Sequence, residues 1–142
     1  MKKLFLLFIC LFWAWKADAE PGSASVTVSV TGSGQLASKI AENGTPVADI
    51  GHLTVVGGGT LVFSDFYYIA SNMNTTLLTL DVSGVSIGNE ALGLENCVCL
   101  TQLILPPAIG GNFSSNALRG DSSLTAISIP DGVTLLKWDT FR

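Results

Sequence analysis

The stretch Leu77-Leu78-Thr79-Leu80-Asp81-Val82 decides the reading of this chain. It comes back as Leu100-Thr101-Gln102-Leu103-Ile104-Leu105 and again as Leu124-Thr125-Ala126-Ile127-Ser128-Ile129. The starts lie 23 and then 24 residues apart. Each copy follows the pattern apolar-x-x-apolar-x-apolar, whose last three positions alternate with the period of a short strand buried on one face. A less regular copy, Ile50-Gly51-His52-Leu53-Thr54-Val55, begins 27 residues before Leu77.

The second halves of the copies agree as well. Ile87-Gly88-Asn89-Glu90-Ala91-Leu92 corresponds to Phe113-Ser114-Ser115-Asn116-Ala117-Leu118 and to Leu136-Lys137-Trp138-Asp139-Thr140-Phe141. Pro106 and Pro130 directly follow their predicted strands, and a residue without an N–H ends strand pairing and turns the chain. One such unit cannot bury its apolar edge alone and must stack on its neighbours. The period therefore predicts an α/β architecture, a short leucine-rich repeat solenoid with parallel strands.

These residues resemble the BspA-like leucine-rich repeat family, whose repeat runs roughly Leu-x-x-Ile-x-Ile-Pro, a turn, Val-x-x-Ile-Gly-x-x-Ala-Phe, then Gly-Cys-x-x-Leu. Leu124 to Val133 matches the first half; Ile87 to Leu92 and Ala117 to Leu124 match the second. Asp121 stands where the family often has Cys, Lys137 replaces the Gly, and Phe113 takes the Ile position after a one-residue insertion. The resemblance covers residues 77–142 well and 34–76 weakly. It implies a bacterial producer and adhesion to proteins or glycans of a host or neighbouring cell.

Ahead of the clear copies, residues 20–76 read as a capping region that contains the irregular first copy. Ala24 to Val30 alternates with period two as a first strand. Gln35 to Ala41 predicts a short helix with Leu36, Ala37, Ile40 and Ala41 on its apolar side, closed by Asn43-Gly44. After Gly57-Gly58-Gly59, Ser64 is expected to cap a second helix that carries Phe66, Ile69, Ala70 and Met73 on one face. Such a strand-helix unit would cover the open end of the first repeat. At the other end the last repeat reads as incomplete, a truncated member of a longer array. The alternative is that Trp138 and Phe141 fold over it as a makeshift cap.

Residues 1–19 have the layout of a secretory signal peptide: Lys2 and Lys3, an apolar run from Leu4 to Trp15, then Ala17-Asp18-Ala19. The run is too short for a membrane span, so direct insertion after cleavage is not expected. Cys10 follows Ile9 inside that run, which does not suit a lipid-modified cysteine. Removing Lys2, Lys3, Lys16 and Asp18 from seven basic and eleven acidic residues leaves four and ten, a net charge of −6. That acidity argues against nucleic acid and anionic membranes as partners and suits a secreted or cell-surface protein.

Catalytic patterns do not emerge. His52 is the sole histidine, so no Ser-His-Asp or Cys-His arrangement can be assembled around a second one. Cys97 and Cys99 are too close to staple a framework and lack partners for zinc, and no cofactor is expected. Cys97, three residues before Leu100, reads as core packing in the position where the resembled family stacks a buried Cys. Gly57-Gly58-Gly59 has no Lys-Ser/Thr beside it to hold a phosphate. Asp65, Asp81, Glu90 and Glu95 read as a solvated surface. The sequences starting at Asn43, Asn74 and Asn112 match glycosylation acceptors, which a bacterial producer would leave unused.

What remains is a surface. Stacking the copies would bring the outward residues His52, Thr54, Thr79, Asp81, Gln102, Ile104, Ala126 and Ser128 into columns on one sheet face. This face is the predicted binding site, non-catalytic, for an extracellular protein or glycan. It has none of the Trp, Tyr or Arg residues that dominate tight interfaces, and Tyr67, Tyr68 and Trp138 are the aromatic candidates elsewhere. The alternative function is a structural cap or spacer in a longer surface protein.

Overall fold

The computed structural model describes residues 21–142. The predicted signal peptide, 1–19, lies outside the described residues. Strand β1 (Ala24–Ser29) leads into helix α1 (Leu36–Asn43), and a 3-10 turn at Val47–Asp49 delivers the chain to β2 (Ile50–Val56). A short β3 (Thr60–Leu61), helix α2 (Phe63–Asn72), β4 (Thr79–Asp81), β5 (Ser86–Ile87) and β6 (Gln102–Ile104) follow.

Four of these strands form one sheet in the order β1-β2-β4-β6, and every pairing is parallel. The sheet is open and does not close into a barrel, so the chain is mixed α/β. The register is set by burial. Val26, Leu53, Leu80 and Leu103 pair in succession, each facing the core, and a slip by one residue would turn them all into water. Between β1 and β2 the register shifts once, at Gly51, which lies against the Gly22 backbone where no side chain would fit.

A second, smaller parallel sheet pairs β3 with β5, and a single bridge joins Ala108 to Asp131 further along. Segments about one copy apart are also laced outside the strands. Leu94 donates its N–H to Ala117 and Leu118 to Thr140; Asn96 donates to Arg119 and Gly120 to Arg142. Left-handed backbone recurs at matching points, at Glu90, Asn116 and Asp139, and at Asn96 and Gly120. Two consecutive asparagines act as clamps: Asn89 Oδ1 accepts from the Asn112 N–H, and Asn112 Oδ1 accepts from those of Thr134 and Leu135.

The helices cover the N-terminal part of the core. In α1, Leu36 and Ile40 are buried, and Gly44 at φ +80° ends the helix with its N–H on the Ala41 carbonyl. Ala37 and Ala41, expected on the same apolar side, are half-buried and exposed. In α2, Phe66 and Ile69 are buried together with Met73 just beyond the end. Ser64 does not cap this helix. The helix starts one residue earlier than Ser64, and its first turn is closed by Asp65, whose carboxylate accepts from the Val62 N–H at 2.9 Å.

One further expectation needs correction. The third regular copy, Leu124 to Ile129, is not a hydrogen-bonded strand; Leu124 and Ile127 pack half-buried against the core, but Ile129 is 43% exposed. Pro130 removes a donor at its end, and it has a neighbour on one side alone, so water competes for its backbone groups. Trp138 and Phe141, the residues of the alternative cap, are 90% and 50% exposed.

Candidate functional site

The sheet face carries two columns of outward residues that flank the buried leucine column. One runs Ser25, His52, Thr79, Gln102 and the other Thr27, Thr54, Asp81, Ile104, with each neighbour directly paired. Parallel strands lie about 4.8 Å apart, so the columns present imidazole, hydroxyl, amide and carboxylate groups at that spacing. All six of the predicted residues on β2, β4 and β6 are therefore brought together, half-buried or exposed. Asp81 is held in place by the Ser83 N–H and hydroxyl, at 2.9 and 2.7 Å.

Ala126 and Ser128 do not join these columns. Their segment is unpaired with β6, and a cleft of about 750 Å³ opens between Thr101 to Leu105 and Thr125 to Ser128. Both residues are exposed at its rim. Sequence reasoning gave them equal standing because their alternation is as regular as that of β6.

Cys97 and Asp121, 24 residues apart, meet in the interior. The Cys97 N–H donates to Asp121 Oδ1 at 2.8 Å, while Asp121 Oδ2 has no hydrogen-bond partner among the described residues. Burial pushes the Cys97 thiol up to about 12, and the charge of Asp121 adds to the rise. A thiol kept protonated is neither a nucleophile nor a ligand, which fits the packing role expected for Cys97. Burial also pushes the Asp121 carboxyl up to about 7; the Cys97 hydrogen bond opposes this and the charge of Glu95 reinforces it. Cys99 is half-exposed.

Of the four acids read as solvated, Asp65 is 2% exposed. It accepts from the Val62 and Gly34 N–H groups through Oδ2 and from Leu36 through Oδ1, at 2.9, 3.2 and 3.1 Å. It therefore ties the starts of α1 and α2 to one another, a structural role. Glu90 pairs with Lys137 at 2.6 Å and Glu95 with Arg119 at 3.3 Å, both at the surface. Among the described residues, no three His, Cys, Asp or Glu side chains cluster as ligands, and no helix is long and apolar enough to cross a membrane.

Aromatic side chains divide by position. Tyr68 packs half-buried against the core, whereas Tyr67 is 62% exposed beside Phe63, which is 56% exposed. Phe63 was not a sequence candidate; its position four residues before Tyr67 on the outer face of a helix is the signal that could have found it. No protein-family model matches the chain, and no curated protein matches its sequence.

Proposed function

We propose that this chain is a secreted or cell-surface binding module, a short leucine-rich repeat solenoid with adhesive rather than catalytic work, whose partner is an extracellular protein or glycan. One observation carries the reading: β2, β4 and β6 stand in unbroken parallel register and hold His52, Thr79 and Gln102 in one outward column and Thr54, Asp81 and Ile104 in the next. The recurrence of left-handed turns and of ladder bonds about one copy apart supports the repeat. The resemblance to BspA-like repeats supports the adhesive role, and the layout of residues 1–19 supports export.

The test is adhesion of beads coated with the purified chain to cultured epithelial cells. The combined Thr79→Ala, Asp81→Ala and Gln102→Ala variant should lose adhesion while keeping its melting temperature. Full adhesion by that variant would move the site off this face.

One observation favours a second reading, a spacer within a longer surface array. Leu136 and Phe141 are 46% and 50% exposed, while Phe113 and Leu118, 23 residues before them, are buried. A following copy would cover the later pair, as the equivalent earlier pair is covered. A reading frame continuing past Arg142 with another copy would support the spacer; a stop codon there would sink it.

A further inference from the structure

The outer face of α2 overhangs a groove of about 350 Å³ whose other walls are the turns around Gly93 to Asn96 and Ser114 to Asn116. Two aromatic rings line it from the helix. Phe63 and Tyr67 are near-parallel, 26° apart in plane, with centroids 6.2 Å apart, so the rings are offset and both keep a face toward solvent. The end beside Phe63 is closed by Gly93, where a Cβ would stand 3.2 Å from the ring edge.

Opposite the rings, the groove is polar without free charge. Glu95 is engaged by Arg119. Ser114 donates to the Leu92 carbonyl. The side chains of Ser115 and Asn116 and the Tyr67 hydroxyl take no hydrogen bond among the described residues, so amide and hydroxyl groups remain for a ligand, while the Asn96 amide lies against Gly120. Asn96 and Asn116 are both held in left-handed backbone, at φ +63° and +61°, which fixes the turns that carry them.

A ligand that fits must present an apolar face to two rings and a rim of uncharged donors and acceptors to amides and hydroxyls. Peptides dock by extending a sheet edge, by laying an amphipathic helix in an apolar groove or as proline-rich segments on aromatic rings; the uncharged polar wall opposite the two rings here favours a ligand that is polar along its whole rim. These walls are one helix face and two turns, with no strand edge. Nucleic acid needs cations, and none lines the groove among the described residues; Arg119, beyond its lining, pairs with Glu95. A pyranose has the required chemistry: its ring C–H groups meet the negative faces of aromatic rings, and its hydroxyls meet amides.

We infer that the groove between α2 and the turns at Gly93 to Asn96 and Ser114 to Asn116 is a carbohydrate-binding site for a neutral oligosaccharide, with Tyr67 and Phe63 as its stacking surface. This deepens the proposed binding function and rests on it only for the biological setting. It places sugar recognition away from the sheet columns.

The test is titration of the isotope-labelled full chain, observed by amide chemical shifts, with maltotriose, cellotriose, chitotriose and lactose in turn. Each is taken to about 10 mM, ten times a Kd of about 1 mM. At least one sugar should shift the amides of Gly93, Asn96 and Asn116 and saturate. Tyr67→Ala and Phe63→Ala should each weaken that sugar about tenfold or more, with unchanged spectra elsewhere because both side chains are exposed. A Thr79→Ala, Gln102→Ala variant should bind it as the parent does. No groove shift with any of the four sugars would overturn the site, as would parental affinity in Tyr67→Ala. Shifts confined to β2, β4 and β6 would overturn it and leave the adhesive reading standing. Groove shifts in a chain whose coated beads fail to adhere would keep the site and sink that reading.

Discussion

Asp121 makes stability depend on pH in a direction opposite to that of most carboxylates. Its carboxyl is raised from an ordinary value of about 3.9 to about 7 in the folded chain, first by burial and then by the charge of Glu95, against the hydrogen bond from Cys97. A group raised on folding binds its proton more tightly in the native state. Its contribution to stability is full below the unfolded value and is lost as pH rises through the folded one. Between pH 5 and pH 8 that loss comes to roughly 2.5 kcal/mol. For a domain of this size it corresponds to a fall in melting temperature of about 10 °C.

The perturbation is Asp121→Asn. Asparagine keeps an oxygen for the Cys97 N–H, which now sits 2.8 Å from Oδ1, and cannot ionise. Glu95 and the Cys97 residue act on this position and Arg142 lines the same hollow; the substitution removes none of them. Melts followed by circular dichroism from pH 5 to pH 8 should show the parent losing about 10 °C and the variant losing far less. With Asn standing in for the protonated acid, the variant should match the parent below about pH 4 and exceed it by roughly 1.5 kcal/mol at pH 5 and roughly 4 kcal/mol at pH 8. Equal slopes in parent and variant would refute the argument, because the proton would then be leaving some other group. A variant less stable than the parent at pH 8 would also refute it, since the charge would be favourable where it sits.

Two further outcomes follow from buried groups. Asp65→Ala removes the shared acceptor of the Val62, Gly34 and Leu36 N–H groups, and should cost about 3 to 5 kcal/mol by urea unfolding, with Asp65→Asn costing about half; a loss below about 1 kcal/mol would mean water replaces the carboxylate. Iodoacetamide at pH 8 should alkylate the half-exposed Cys99 and spare Cys97 until denaturant is added, as read by peptide mass, because Cys97 is buried and held protonated; early labelling of Cys97 in the native chain would contradict that packing.

How far the sequence carried the fold can be argued from individual residues. Strand β1 was legible because Val26, Val28 and Val30 alternate with Ser and Thr, and burial follows that alternation without exception. Helix α1 was legible through its stop at Gly44. The start of α2 lies two positions earlier than Ser64 suggested, because Ser64 and Asp65 are both good acceptors. The choice between them is made by the amides of Gly34 and Leu36, about thirty residues away, which no local pattern can reveal. The same holds for the site. Six of eight strand-face residues followed from the period, whereas Ala126 and Ser128 lie in a segment that does not pair with β6, which the same period does not reveal. The Phe63 and Tyr67 groove depends on where α2 lies over two later turns.

The ladder thins along the chain, and this bears on where binding can occur. The strands of the main sheet span six, seven, three and three residues in order, and the next copy forms none. A stacked unit draws its stability from the units on both sides. The copies at β2 and β4 have a paired strand on each side, while residues 124–141 lack one and leave Leu135, Leu136 and Trp138 exposed. Affinity is lost when a surface must be ordered as it binds, so the preorganised elements are the better carriers of recognition. On that ground the columns on β2, β4 and β6 and the groove under α2 have the advantage over the cleft beside Ala126 and Ser128, although that cleft is roomier. Size favours the cleft, but only its β6 wall is hydrogen-bonded to a neighbouring strand, and Thr125 to Ser128 is not.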